Sequence, residues 1–178
     1  MHKDLEKILI TEQQIRERSI EMGREISKDY QGKAPIFVAL LKGSIPFIAE
    51  LIKYCEIDDM SVDFMAVSSY DGTETTHNVK IIKDLDRDIS GKDVVIVEDI
   101  VDTGHTLFKV IKLMLDKGAK TVKVASLLNK ADRREIDLEA DYVGFEIPNE
   151  FVVGFGLDYN EKYRQLPYVG VLKSDVYK

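Results

Sequence analysis

The most informative part of the sequence is Val94-Val95-Ile96-Val97-Glu98-Asp99-Ile100-Val101-Asp102-Thr103-Gly104-His105-Thr106. Its four consecutive β-branched residues suit a parallel strand that is covered on both faces. In open α/β sheets, ligands lie beyond the carboxyl ends of such strands, which is where Glu98, Asp99 and Asp102 fall. The threonine and glycine residues that follow predict a turn and a helix N-terminus that bind phosphate.

The carboxylates of this stretch would repel a bare phosphate group. The conflict disappears if the anion brings magnesium, or if the acids bind sugar hydroxyls and accept a proton. A purely structural alternative is that Asp102 caps the following helix. That alternative leaves Glu98 and Asp99 unexplained, so the pattern favours a ligand site.

The neighbouring segments repeat the order of strand, turn and helix. An apolar strand over 35–41 precedes the turn Lys42-Gly43-Ser44 and a helix with Pro46 in its first turn. A capping box at Thr11 predicts an earlier helix, and a buried strand is expected over 122–128. Strands that alternate with helices predict an α/β fold with right-handed crossovers and a mainly parallel, twisted sheet flanked by helices.

Two further strands are expected on either side of a polar segment. Val62, Phe64 and Ala66 alternate with polar neighbours, as in a half-buried strand, and another strand begins at Val79. The segment between them, 68–78, is long for a hairpin connection. It is either a disordered tip or a functional lid.

Composition narrows the class of protein. The chain has 178 residues, 44% hydrophobic and 32% charged, and predicts one domain over 1–178. Its net charge of −7 argues against a nucleic-acid partner. Neither a signal peptide nor an apolar run of roughly 20 residues is present, so we expect a cytoplasmic protein without a membrane partner. One cysteine, Cys55, and three scattered histidines make disulfide, redox and zinc chemistry poor interpretations.

The stretch over 94–106 resembles the phosphoribosyl-diphosphate-binding motif of the type I phosphoribosyltransferases, in the form typical of the hypoxanthine-guanine branch. Further segments match that branch in the right order, so the resemblance spans nearly the whole chain. These segments are Leu41-Lys42-Gly43-Ser44, Ser68-Ser69-Tyr70, Ser126-Leu127-Leu128-Asn129-Lys130, Val143 to Pro148 continuing to Phe151-Val152-Val153-Gly154, and Leu157 to Glu161 with Arg164. The resemblance implies the type I phosphoribosyltransferase fold, with a small hood from the N- and C-terminal segments over the base site.

The resemblance also implies a reaction. The 5-phosphoribosyl group would pass from phosphoribosyl diphosphate to hypoxanthine or guanine, giving IMP or GMP and diphosphate, with Mg²⁺ as cofactor. Departure of diphosphate leaves positive charge on the ribose. A metal on the leaving group and nearby carboxylates would both lower the barrier to this step. Glu98 and Asp99 would contact the ribose hydroxyls directly or through the metal, and Asp102 would accept the proton of the purine imidazole nitrogen.

Two anion sites follow from the same resemblance. Thr103, Gly104, His105 and Thr106 would bind the 5-phosphate, although many relatives have lysine at the position of His105. The family's diphosphate contacts match Leu41, Lys42, Gly43, Ser68, Tyr70 and Arg164. The matching peptide in the family, Leu41–Lys42 here, can be cis, and 68–70 matches a loop that closes over the site and excludes water.

Base recognition is expected from the C-terminal segment. Phe151 would stack on the purine, Val152 would contribute its backbone, and Asp158 would hold a second magnesium near the base and diphosphate. Lys130 would donate to the 6-oxo group and so select against adenine. Taken alone, Phe151 is typical of a core residue, and Lys130 of a solvated lysine at a strand end.

Other interpretations stay open at this point. The fold also occurs in regulators that only sense phosphoribosyl diphosphate, although the diphosphate loop, the lid segment and the acidic residues are all present here. A related transferase that prefers xanthine would share these motifs. The family further implies a homodimer or homotetramer. No dinucleotide fingerprint or Walker motif is present, so dehydrogenase and nucleotide-triphosphatase functions are poor interpretations.

Overall fold

A computed structural model describes residues 1–69 and 79–178. Most of the polar segment over 68–78, including Tyr70, therefore lies outside the described residues. The strands and helices, in chain order, are β1 Leu5–Ile10, α1 Glu12–Asp29, β2 Ile36–Leu40, α2 Ile45–Leu51, β3 Ser61–Ser69, β4 Val79–Lys83, β5 Asp93–Val101, α3 His105–Asp116, β6 Thr121–Asn129, β7 Tyr142–Glu146, β8 Val152–Val153, β9 Val169–Leu172 and α4 Ser174–Tyr177.

The larger sheet has the strand order β4-β3-β2-β5-β6-β7. All neighbouring pairs are parallel except β3 and β4, which are antiparallel. The predicted mainly parallel sheet is thereby confirmed. Because β2, β5 and β6 run in the same direction, the residues that follow each of them meet at one edge of the sheet.

The central strand is buried on both faces, as its β-branched run predicts. Val94 to Val97 are fully buried. Val95 and Val97 pack in one apolar cluster with residues of α1 and α2. Val94 and Ile96 pack in a second cluster with residues of α3. Two helical layers therefore hold β5 in place and direct its carboxyl end toward the site.

Strand β3 confirms a predicted strand, but its burial differs from the apolar pattern. Among its residues 61–68, Asp63 and Met65 are the most buried, at 3% and 0% exposure. The Asp63 carboxylate accepts hydrogen bonds from the backbone N–H groups of Asp86 at 3.0 Å and Arg87 at 3.3 Å. These bonds compensate for burying a carboxylate. Val62 and Phe64 are only partly buried, against the α1 and α2 side of the core.

A second sheet of three antiparallel strands, in the order β1-β9-β8, joins the two ends of the chain. Leu5, Val153, Tyr163 and Leu172 form its apolar cluster. This sheet is the predicted hood. None of the described helices is both long and apolar enough to cross a membrane.

Candidate active site

The end of β5 forms one wall of a cavity of about 240 Å³, which Glu98, Asp99, Asp102 and the following turn line. The predicted sugar-phosphate residues therefore lie together, with the exception of His105. Gly104 has a φ of +93°, a conformation that favours glycine, and α3 begins directly after it. The turn lines the cavity through Thr103, Gly104 and Thr106.

The side chain of His105 does not line this cavity. Its Nε2 lies 2.7 Å from Glu135 Oε2, and the imidazole borders a groove on the outer side of α3. His105 and Thr106 are successive residues of α3, so their side chains point in different directions around the helix. The predicted phosphate contact of His105 is therefore limited to its backbone.

Glu98 and Asp99 are adjacent, half-buried carboxylates. Asp99 N donates to Glu98 Oε1 at 3.1 Å, and Ile100 N donates to Asp99 Oδ1 at 2.8 Å. Burial and repulsion by Asp99 raise the pKa of Glu98, and burial raises the pKa of Asp99. A bound cation would relieve both effects.

These carboxylates suit magnesium better than a metal held by protein alone. Among the residues that the structure describes, no three histidine, cysteine, aspartate or glutamate side chains converge on one point. Mg²⁺ is commonly held by one or two carboxylates, substrate phosphates and water. The oxygen donors of Glu98 and Asp99 fit such a shared site.

The loop between β2 and α2 packs against the carboxylates. The Leu41–Lys42 peptide is cis. A Cβ atom at Gly43 would overlap the Asp99 carboxylate, so a larger residue would displace that side chain. A Cβ atom at Gly156 would likewise overlap the backbone oxygen of Gly43. Gly156 was not predicted as a site residue, because nothing in the local sequence shows which loop it contacts.

A network of charges connects this loop with the C-terminal segment. Glu161 Oε2 lies 2.8 Å from Lys42 Nζ, and Glu161 Oε1 lies 3.1 Å from Arg164 Nη2. Arg164 also contacts Asp158 Oδ1 at 3.1 Å and donates to Gly156 O at 2.7 Å. Hydrogen bonds and attraction from Lys42 and Arg164 lower the pKa of Glu161. Lys42, Asp158 and Arg164 therefore lie together as predicted, and Glu161 is an addition.

A second cavity, of about 440 Å³, opens beside the first. It is lined by Asp102, Lys130, Phe151 and Val152, which were all predicted to surround the base. Lys130 is only 8% exposed, and burial lowers its pKa. It is therefore not the solvated lysine that its position at a strand end would indicate. Asp158 does not line this cavity.

Two of the lining residues that were not predicted contact predicted site residues. Arg133 Nε lies 3.1 Å from Asp102 Oδ1, and both side chains are substantially exposed. Tyr177 stacks on Phe151 with ring centroids 4.7 Å apart and an angle of 18°. Arg133 belongs to a basic run that is visible in the sequence, whereas no sequence signal places Tyr177 against Phe151.

Leu41 and Ser68, the remaining predicted diphosphate residues that the structure describes, lie beside and within β3. Leu41 N donates to Met65 O at 2.9 Å, which ties the loop to β3. Ser68 lies opposite Lys80 in the antiparallel pair of β3 and β4. Ser68 is thus a strand residue. Tyr70 lies outside the described residues, so its predicted role stays a prediction.

The chain is similar to known proteins over nearly its whole length. A sequence profile of the phosphoribosyl transferase domain matches residues 5–160. A hypoxanthine-guanine phosphoribosyltransferase of Streptococcus thermophilus is 50% identical over 99% of this chain and 98% of its own length. The chain belongs to the hypoxanthine-guanine phosphoribosyltransferase family.

Other members of this family agree in sequence and in structure. The hypoxanthine-guanine phosphoribosyltransferase of Lactococcus lactis is 51% identical, covering 99% of this chain and 96% of its own. The crystal structure of a hypoxanthine phosphoribosyltransferase from Staphylococcus aureus has a TM-score of 0.95 and 50% identity, covering 100% of this chain and 97% of that one. The resemblance drawn from the motifs and the type I phosphoribosyltransferase fold are both confirmed.

Proposed function

We propose that this phosphoribosyltransferase transfers the 5-phosphoribosyl group of phosphoribosyl diphosphate to hypoxanthine or guanine, giving IMP or GMP and diphosphate. One observation carries the proposal. Asp102 lines both the cavity beside the phosphate-binding turn and the cavity beside Lys130 and Phe151. A carboxylate thus lies where a sugar phosphate and a base would meet.

The first cavity suits the sugar phosphate. The backbone N–H groups of the turn and the start of α3 would bind the 5-phosphate, because a helix N-terminus favours an anion. Glu98 and Asp99 would hold the ribose hydroxyls and Mg²⁺. Bound magnesium would supply charge neutralisation on the departing diphosphate. Lys42 and Arg164 would bind the same diphosphate once its oxygens replace Glu161 as their partner.

The second cavity suits a 6-oxopurine. Phe151 would stack on the base, and the buried ammonium of Lys130 would donate to the 6-oxo group. The 6-amino group of adenine would instead place a donor against a donor. Asp102 would take the proton that leaves the imidazole nitrogen. Its ion pair with Arg133 is exposed and therefore weak enough to be exchanged for this contact.

The direct test is a spectrophotometric assay of the purified protein with phosphoribosyl diphosphate and four bases, each with and without Mg²⁺. We expect nucleotide from hypoxanthine and guanine only in the presence of the metal, and none from adenine. The rate with xanthine decides whether this oxopurine is also accepted. Binding of phosphoribosyl diphosphate without product from any base would contradict transfer and favour a ligand sensor.

We also propose that the chain folds as one domain over 1–178, is cytoplasmic and assembles as a homodimer or homotetramer. An apolar groove beside the diphosphate loop supports assembly. It includes Leu41, Ile45 and Phe64, and Ile45 is 48% exposed. Burying such a surface against a second subunit would be favourable. Analytical ultracentrifugation that finds only monomers at micromolar concentration would contradict this proposal.

A further inference from the structure

The phosphate-binding turn is attached by its carbonyl groups to one neighbouring segment, 130–135. Three consecutive carbonyls, from the last residue of β5 into the turn, accept hydrogen bonds from it. These bonds are Lys130 N to Val101 O at 3.0 Å, Arg134 Nε to Asp102 O at 3.1 Å and Glu135 N to Thr103 O at 3.0 Å. The middle bond is the only one of the three that depends on a side chain.

This attachment fixes the direction of the backbone N–H groups. In a trans peptide, the N–H group points opposite to the carbonyl of the preceding residue. Holding the carbonyls of residues 101–103 on one side therefore turns the N–H groups of Asp102, Thr103 and Gly104 to the other. Within the described part of the chain, these three N–H groups donate no backbone hydrogen bond. They are thus oriented for an external acceptor.

Arg134 is itself held firmly. Its side chain is 9% exposed, and its two terminal nitrogens donate to Leu138 O and Asn129 Oδ1. Asn129 is 1% exposed and donates in turn to both oxygens of Glu146, at 2.8 and 3.0 Å. The planar guanidinium therefore joins three segments at once, which a lysine ammonium on a flexible chain does not reproduce.

We infer that Arg134 is a positioning residue for the 5-phosphate site. Its Nε–H holds the Asp102 carbonyl, and its Cδ lies 3.1 Å from where a Cβ of Gly104 would be, so it supports the turn from behind. This places it opposite the cavity, where it contacts neither the sugar phosphate nor the base. The inference rests on the proposed function, because the turn must bind a phosphate for its orientation to matter.

The test compares binding of IMP with binding of inosine, which lacks the 5-phosphate, in wild type, Arg134→Lys and Arg134→Ala. In both variants we expect the affinity for IMP to fall about 10- to 100-fold, as for loss of a hydrogen bond from a charged group. The affinity for inosine should change less than about threefold, because inosine lacks the phosphate. A change of that size corresponds to less free energy than one such hydrogen bond. Millimolar ethylguanidinium should restore part of the IMP affinity of Arg134→Ala, and Arg24→Ala, an exposed arginine on α1, should match wild type.

Each outcome assigns the failure to one idea. If both variants lose IMP and inosine affinity equally, or lose neither, the positioning role is wrong. Melting temperatures of the same samples show whether a variant has lost affinity because it is unfolded. For a variant that is folded in the assay, rescue of IMP affinity by ethylguanidinium supports positioning. If wild type itself binds IMP no better than inosine, the phosphate site of the proposed function fails instead.

Discussion

In the proposed reaction, the proton transfer depends on Asp102. Asparagine has nearly the same shape but does not accept a proton. We expect Asp102→Asn to lower the rate of nucleotide formation by about 10²- to 10⁴-fold, the usual contribution of a positioned base. Single-turnover kinetics measure this rate, and calorimetry should find nearly unchanged affinity for both substrates. An unchanged rate would exclude Asp102 as the necessary base.

Lys130 should give base binding a characteristic pH dependence. Burial lowers its pKa, and the protonated form is the stronger donor to a 6-oxo group. Affinity for hypoxanthine is therefore fully present at low pH and falls as pH rises through this lowered pKa, before an ordinary lysine would titrate. Lys130→Arg keeps its charge at all these pH values and should lack this fall.

The measurement is the hypoxanthine dissociation constant of wild type and Lys130→Arg from neutral to alkaline pH. Ionisation of the base itself affects both profiles alike, so their ratio isolates the lysine. Parallel profiles would show that the charge of Lys130 does not contribute to base binding.

Among the structural elements, the loop between β2 and α2 depends on close backbone packing. An alanine at Gly43 would push its methyl group into the Asp99 carboxylate. We expect Gly43→Ala to lower the free energy of unfolding by about 1 to 3 kcal/mol, as overpacking does, and to impair catalysis. Urea denaturation and the transfer assay measure the two effects.

Gly32→Ala is the matched control for this prediction. Its Cβ would meet nothing within 4 Å, although its φ of +71° adds strain. It should therefore cost about 1 to 2 kcal/mol of stability but leave catalysis intact. If Gly43→Ala is as active as Gly32→Ala, the close packing against Asp99 is not needed for the reaction.

The contact between this loop and the C-terminal segment should influence diphosphate binding. Glu161 pairs with both Lys42 and Arg164, so an incoming diphosphate competes with its carboxylate. Glu161→Gln removes that competing charge. We expect the product-inhibition constant of diphosphate to fall about two- to fivefold, as for an exposed ion pair. Glu12→Gln, on the exposed first turn of α1, should leave it unchanged, and weaker inhibition in Glu161→Gln would contradict the competition.

These elements also separate what sequence predicts from what it does not. The β-branched run of β5 was sufficient to predict a buried parallel strand, and the ligand site at the carboxylates that end it stays a prediction. In β3, alternation alone did not identify the buried face, because backbone N–H groups satisfy Asp63. Local pattern carries the first kind of information, whereas the second depends on distant partners.

Across the whole molecule, other residues beside the site were missed for the same reason, because their contacts join distant parts of the chain. Glu161 meets Lys42 across 119 positions, and Gly156 meets Gly43 across a comparable distance. Arg133 and Arg134 contact Asp102 across 31 and 32 positions. Tyr177 reaches Phe151 from the C-terminal helix α4. The motif resemblance supplied Lys130 and Phe151, which residue type and position alone would have assigned to solvent and core.

In the proposed reaction, the base and the sugar phosphate meet at Asp102. The most direct test is a crystal structure with Mg²⁺, a non-reactive analogue of phosphoribosyl diphosphate and hypoxanthine. We predict the 5-phosphate on the turn that begins at Thr103, the base between Lys130 and Phe151, and an imidazole nitrogen about 2.6 to 3.2 Å from the Asp102 carboxylate. Hypoxanthine bound elsewhere, or bound with Asp102 still paired to Arg133 and out of its reach, would contradict this role of Asp102.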